Sequence, residues 1–253
     1  MESIDYQHMF DLEDQHWWFQ AKMDLMRRLV VSHCPKDPDR EPRLLDIGCG
    51  TGLFVSGESR DKTAIGVDFS REALGFTRRR GVSNLICADS QVLPFSSESF
   101  DMVTAFDHIE HVDHDDALIA EAHRVLRPGG IALISVPAHP FLQGIHDDAL
   151  HHKRRYRWDE LDRLFDPKIW IRRRMTWTFA SIYPIAAVIR SIRNILPSQN
   201  PVADTNLTPR WLNRPLLEWH RLENSWVETR NLPFGLSIVT VREKRAEQQR
   251  VLR

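Results

Sequence analysis

Nine residues, Leu44 to Gly52, read LLDIGCGTG and limit what this chain can fold into more than any other stretch. Leu44, Leu45 and Ile47 form an apolar run closed by glycine, which suits a strand buried on both faces, although a run this short also fits a buried helix. Asp46 interrupts the run near its carboxyl end. Gly48, Gly50 and Gly52 then permit positive φ and close approach of the backbone to a ligand, and the next segment can open a helix whose first N–H groups are free. Such a crevice suits a nucleotide-like ligand. The spacing is G-x-G-x-G, whereas a dinucleotide-binding turn reads G-x-G-x-x-G and would need glycine where Leu53 stands. A carboxylate there accepts from an ammonium group and repels a phosphate.

Downstream, strand and helix patterns alternate. Leu53–Glu58 starts a short helix and Ala64–Val67 a second strand ending in Asp68, where an acid can accept both ribose hydroxyls. Ser70, followed by Glu72 and Ala73, caps the next helix. Leu85–Ala88 is a third strand, ending at Asp89 and Ser90. Met102–Phe106 is a fourth, and Asp107, His108, Glu110 and His111 follow its end directly, over the edge where ligands bind in an open parallel sheet. Ala117–Leu126 reads as a helix stopped by Pro128, Gly129 and Gly130, and Ile131–Val136 as a fifth strand. Asp159–Phe165 is a short helix, Ile169–Trp177 a sixth strand with Ile169, Ile171, Arg173 and Met175 on one side, and Gly235–Val241 the last strand. Repeated units with short turns predict a doubly wound parallel sheet.

Three stretches stand outside that pattern. Near the start, Met23, Met26, Leu29 and Val30 alternate with Lys22, Arg27 and Arg28 as in an amphipathic helix. Before it, His16, Trp17, Trp18 and Phe19 form a cluster that is costly to expose, as core packing or as a lid. The loop from Pro137 to Tyr156 carries His146, Asp147, Asp148, His151, His152, Arg154 and Arg155 at a strand's carboxyl end, a place for a base or substrate anchor; its spacings specify no metal site, so no metal is expected. Between the last two strands, Ile185, Val188, Ile189, Ile192, Ile195 and Leu196 recur at helical spacing with Arg190 and Arg193 on the other face, Pro184 opening that helix. A second series, Leu212, Leu216, Leu217, Trp219 and Leu222, is broken by Pro215. Asn200–Pro209 reads as a connector. The insertion suits a cap, a dimer interface or, with Arg172–Arg174 nearby, contact with an anionic membrane through 185–196.

At 253 residues the chain can hold one large domain or a domain with a sizeable insertion, the second being favoured. Lys and Arg total 34 against 35 Asp and Glu, so no basic field argues for a nucleic-acid partner. Three cysteines without paired spacing suit a reduced intracellular protein. Neither a secretory signal nor a confident membrane span is evident, and a cytoplasmic place, with membrane association through the insertion, is expected.

LLDIGCGTG, GVDFS, ADSQVLPFSSESFD and RVLRPGG stand in the order and at the spacing of the class I S-adenosylmethionine-dependent methyltransferases, a resemblance covering residues 43–136. HWWF, the HDDALHHKRRY loop and LPFGLS resemble a bacterial subgroup of that family, whose members often carry basic residues after HWWF; here Gln20, Ala21 and Lys22 follow. The resemblance implies a Rossmann-like α/β fold with a mostly parallel seven-stranded sheet, its last strand antiparallel, and a helical insertion before that strand. It divides the chain into a helical lid and linker at 1–42, a core at 43–178 and 233–245, and the insertion at 179–232. The implied cofactor is S-adenosylmethionine. Gly48, Cys49, Gly50 and Gly52 would line it, Asp46 would lie near its amino acid part, Asp68 with Phe69 would hold ribose, Asp89 and Ser90 would meet adenine, and Phe106 and Asp107 would complete the site.

The expected reaction is methyl transfer to a small-molecule or lipid- or glycan-linked acceptor. His111 is the first candidate base and His152 the second, with Trp18, His146, His151, Arg155 and Tyr156 on the acceptor side. A non-catalytic S-adenosylmethionine-binding protein and a nicotinamide-dependent oxidoreductase are the alternatives.

Overall fold

The computed structural model describes residues 3–58, 63–144, 147, 150–195 and 208–246. Two helices open it, α1 (Ser3–Glu13) and α2 (Trp17–His33). The break between them falls at His16, whose ring accepts the Trp18 N–H at 3.2 Å as an N-cap. The inward face of α2 carries Ala21, Leu25, Met26, Leu29 and Val30, and with them Lys22, a residue that the amphipathic pattern puts among the charged positions.

Seven strands follow, β1 (Arg43–Ile47), β2 (Thr63–Asp68), β3 (Leu85–Cys87), β4 (Phe100–Phe106), β5 (Leu126–Pro137), β6 (Trp170–Thr178) and β7 (Ser237–Lys244). Between them lie α3 (Val55–Glu58), α4 (Arg71–Arg79), α5 (Asp115–Val125) and α6 (Trp158–Arg163). The strands form one sheet in the order β3-β2-β1-β4-β5-β7-β6. Its first five members are parallel and β7 is antiparallel to both β5 and β6, the Rossmann-like arrangement that the sequence predicts. The run in LLDIG is apolar because β1 is covered twice. Leu45 and Ile47 pack with Val103, Ala105 and Ile134 on one face, while Leu44 meets Leu25, Met26, Met102 and Leu133 on the other. Truncating fully buried Leu45 to alanine would cost about 2–5 kcal/mol.

Two local readings are corrected. In β6 the register shifts between Arg172 and Arg174, so Arg173 is the extra residue of a bulge and does not share a side with buried Met175. In the insertion, α7 (Tyr183–Ile195) begins near Pro184, but α8 (Arg210–Thr229) runs through Pro215 without a break. Pro215 sits in the second turn of α8, where it removes only the N–H that would meet the Trp211 carbonyl near the helix start. Leu196 and residues 200–207 of the expected connector lie outside the described residues.

The insertion and the N-terminal helices pack as a unit. Asn213 Oδ1 accepts the Trp17 N–H at 2.7 Å, and Asn224 Nδ2 donates to the Ala21 carbonyl at 2.8 Å. Trp17, Leu142 and Phe179 form a small core against Tyr183, Ala186 and Ala187 of α7. The small residues of α7 therefore face inward, Arg190 is buried, and Ile185, Val188, Ile189 and Ile192 are exposed. The three arginines of β6 are engaged: Arg172 with Asp162 at 3.0 Å, Arg173 with Glu243 at 2.5 Å, and Arg174 with the Arg230 carbonyl at 2.7 Å, closing the end of α8.

Candidate active site

The strand order reverses between β1 and β4, and ligands of open α/β sheets bind beyond the strand ends at such a point. The loop after β1 and the residues after β4 meet there. Gly48 has φ +69°, and a Cβ on it would lie 2.2 Å from the His108 ring. Gly50 has φ +55° with nothing within 4 Å of its missing Cβ, so the loop offers an open concave face that a side chain would fill.

Asp68 anchors this loop. Its Oδ2 accepts the Gly50 N–H at 2.9 Å and its Oδ1 the Ser70 N–H at 2.8 Å, while the Thr77 hydroxyl donates to the Gly50 carbonyl at 2.8 Å. Ser70 itself caps α4 through Ala73. Asp46 is buried and accepts from the Thr104 hydroxyl at 2.7 Å. Burial first, and then the Glu58 and Asp68 carboxylates, push Asp46 up to about 7. Burial likewise raises Asp68. The Cys49 thiol is pushed up by burial and by the same two aspartates, which leaves it inert. Two neighbouring acids, buried Asp46 and half-buried Asp68, both raised by desolvation, fit a cationic ligand and oppose a phosphate.

Around this cradle, Phe69 is 77% exposed, Asp89 accepts the Gln91 N–H at 2.8 Å, and Phe106 meets Phe54 edge-on at 4.7 Å. Ser90 is buried with its hydroxyl 3.0 Å from His108 Nε2. Asp107, at φ +47°, accepts from the Ser135 hydroxyl at 3.2 Å and pairs with Lys22 of α2. Lys22 thus brings a basic group to the site from the turn after HWWF. A second tie comes from α1: Glu13 accepts from the Thr51 hydroxyl inside the glycine loop and pairs with Arg80 at 3.1 Å. Burial pushes Glu13 up to about 7. His108 and Glu110 belong to the polar run after β4 and were visible there without a role; Glu13 has no local signal, because its partners come from other segments.

On the acceptor side the structure divides the predicted residues. His111 and His152 face each other edge to face at 4.9 Å. Burial, and then His152, push His111 down to about 4, so it is neutral near pH 7. Fully buried Glu110 lies beside them, raised well above the carboxylate range by burial and then by Asp107. Trp18 stacks on Phe179 at 4.0 Å and packs edge-on to buried Trp17, so core packing accounts for most of the HWWF cluster.

Arg155 and Tyr156 are corrections to the expected acceptor contacts. Arg155 is buried between Asp147, at 2.8 Å, and the Ala138 carbonyl, at 3.0 Å. Tyr156 is buried with its hydroxyl donating to Asp115 at 2.8 Å. Both use their polar groups to hold the loop. The His151 side chain is exposed at φ +57°, and only its carbonyl reaches the site, 3.1 Å from His111 Nδ1. His146 lies outside the described residues.

Sheet order, acidic strand end and glycine loop have the arrangement of the class I methyltransferase fold. Residues 45–134 match the family model described as a methyltransferase domain, and this stretch is a class I S-adenosylmethionine-dependent methyltransferase domain. S-adenosylmethionine is the cofactor that such a domain takes. A ubiquinone biosynthesis O-methyltransferase of Sinorhizobium medicae is 30% identical over 131 residues, 47% of this chain and 53% of that protein. The chain thus spans about half the length of this curated relative. A Thermotoga maritima S-adenosylmethionine-dependent methyltransferase, described as a possible histamine N-methyltransferase, superposes with TM-score 0.61 at 19% identity, over 96% of this chain and 95% of that one. The methyltransferase bound to the Haloferax volcanii Trm112 activator gives 0.60 at 18% identity, over 97% and 95%.

Proposed function

We propose that this protein transfers a methyl group from S-adenosylmethionine to a small-molecule or lipid- or glycan-linked acceptor. The observation that carries the reading is the pair of acids, buried Asp46 and half-buried Asp68, behind an open glycine cradle at the strand switch point. Bound S-adenosylmethionine supplies a methyl group on a positively charged sulfur. Asp46 would meet its ammonium group and Asp68 with exposed Phe69 its ribose, while Gly48, Gly50 and Gly52 let the backbone approach. Asp89 and buried Ser90, the latter held by His108, would meet adenine. Asp107 and Phe106 would close the side toward the acceptor, where Lys22 fixes the carboxylate. The protein's work is alignment and exclusion of water. With its Nε2 unoccupied, His111, neutral near pH 7, would take a proton from an acceptor, with His152 beside it.

Calorimetric titration with S-adenosylmethionine and, separately, S-adenosylhomocysteine tests this reading. Micromolar binding of both is expected, and binding of neither would overturn it.

The peripheral membrane contact expected through 185–196 takes an altered form. Arg190 is buried and Arg172–Arg174 are paired, so the exposed Ile185, Val188, Ile189 and Ile192 would hold a lipid surface by burial of apolar area and not by charge. Flotation with vesicles should therefore be similar for neutral and anionic lipid, insensitive to salt, and lost in Ile189→Asp. A salt-sensitive preference for anionic vesicles would contradict this account, and a concentration-dependent dimer abolished by the same substitution would assign the face to a second copy.

A further inference from the structure

Glu110 and His111, just beyond β4, converge with His152 of the loop that follows β5. Glu110 is fully buried, and among the described residues neither of its carboxylate oxygens has a hydrogen-bond partner. A buried carboxylate left this way is strongly disfavoured, so such groups are paired, protonated against an acceptor, or bound to a metal. His152 Nε2 is 3.9 Å from Glu110 Oε1, too far for a protonated carboxyl to donate to it. One potential ligand atom from each of Glu110, His111 and His152 lies within 4.8 Å of the others.

The remaining nitrogens of the two rings are already committed. His152 Nδ1 is 2.9 Å from Asp147 Oδ1, and His111 Nδ1 is 3.1 Å from the His151 carbonyl. A carbonyl only accepts, so His111 Nδ1 carries the proton; an ionised Asp147, gripped by Arg155 at 2.8 Å, imposes the same on His152. In the neutral form of each ring Nε2 is then the lone pair that faces the other two groups. Two imidazole acceptors and a carboxylate therefore share one small space with no donor among them. Histidines that bind metals show this outer shell, with one ring N–H given to a carboxylate or carbonyl to fix tautomer and orientation. Two histidines with one carboxylate form a donor set that suits zinc and its neighbours and leaves at least one position open.

We propose that Glu110, His111 and His152 bind a divalent transition-metal ion of the zinc class, with an open position for an oxygen ligand. The 3-10 turn at Ile109–His111 supplies two ligands, and the loop before Arg155 supplies the third. Closing on an ion at zinc-like bond lengths requires the three groups to draw together by about an ångström, within reach of side-chain rotation. That the open position faces a methyl acceptor, favouring one that binds through oxygen, rests on the methyltransferase reading. Binding of the ion does not.

The test is titration of chelator-treated, tag-free protein with Co2+ alone, read by its visible d–d absorption and followed by displacement with Zn2+. One equivalent should bind with micromolar or better affinity. His152→Ala and Glu110→Gln should each weaken binding at least ~10-fold, and Asp147→Asn by ~10–100-fold through loss of ring orientation. Exposed His114→Ala should bind as the parent does. Because Glu110 is buried, partly exposed His111→Ala, checked by its melting curve, gives a variant that keeps the core intact. Absence of Co2+ absorption in the parent, or binding unchanged in all the ligand variants, overturns the site. Separate calorimetry distinguishes the two proposals: protein that binds S-adenosylmethionine but not Co2+ fails this one alone. Protein that binds Co2+ but not S-adenosylmethionine supports this one and fails the other.

Discussion

Replacing Asp68 with alanine should weaken S-adenosylmethionine binding by at least ~100-fold while leaving the protein folded. Asp68 makes two backbone contacts, at 2.9 Å to Gly50 and 2.8 Å to Ser70, and each spans a different part of the site. Each ribose hydroxyl that Asp68 would accept is a charge-assisted hydrogen bond of about 1.5–3 kcal/mol, and a tenfold change in affinity is about 1.4 kcal/mol. Loss of the carboxylate frees the Gly50 N–H and removes the acceptor for ribose. The loop keeps its other tie through Thr77 to the Gly50 carbonyl, and Ser70 still caps α4, so the melting temperature should fall modestly. Asp68→Asn, which keeps one acceptor oxygen, should fall between the parent and the alanine variant. Calorimetry with a parallel thermal melt reads both effects. Unchanged affinity in a folded Asp68→Ala protein would remove Asp68 from the site.

The parts of the molecule legible in the sequence are those with a local physical cause. LLDIG is apolar throughout because both faces of β1 are covered, and its acid and glycines stand out against that run. Strand ends mark the ligand edge of a parallel sheet, so Asp46, Asp68, Asp89 and Asp107 can be picked out one strand at a time. Partners supplied by distant segments leave no such mark. Lys22 and Asp107 are 85 positions apart, and Glu13 reaches Thr51 only after α1 has docked. The loop before Tyr156 shows a different limit, because polar side chains that hold a loop and polar side chains that hold a substrate have the same composition. Only burial separates Arg155 and Tyr156 from a free anchor. In α7 the periodicity is plain but its sense is not. A stripe has the same spacing whichever side faces in, and the short Ala186 and Ala187 side chains win the inward position beside Trp17 and Phe179.

Affinity for S-adenosylmethionine should rise about tenfold between about pH 6 and about pH 8, and Asp46 should be the cause. In the free protein Asp46 is pushed up to about 7, from an ordinary 3.8, by burial and then by Glu58 and Asp68. An acid raised on folding costs stability as pH climbs from its unfolded value to its folded one. The free protein therefore loses the Asp46 contribution between about pH 4 and about pH 7 and no more above that. A cation beside Asp46 reverses the balance, because it favours the ionised form. Below pH 7 the carboxyl must first release its proton, so binding weakens as pH falls and should release a proton measurable by calorimetry in buffers of different ionisation enthalpy. The thermal stabilisation given by S-adenosylmethionine should grow over the same interval. In Asp46→Asn the Thr104 hydroxyl keeps an acceptor, so the fold survives, binding weakens, and the pH dependence and proton release in this range disappear. A variant that retains the parent's slope would show that the titrating group lies elsewhere, with Glu13, also pushed up to about 7, the next to test by Glu13→Gln.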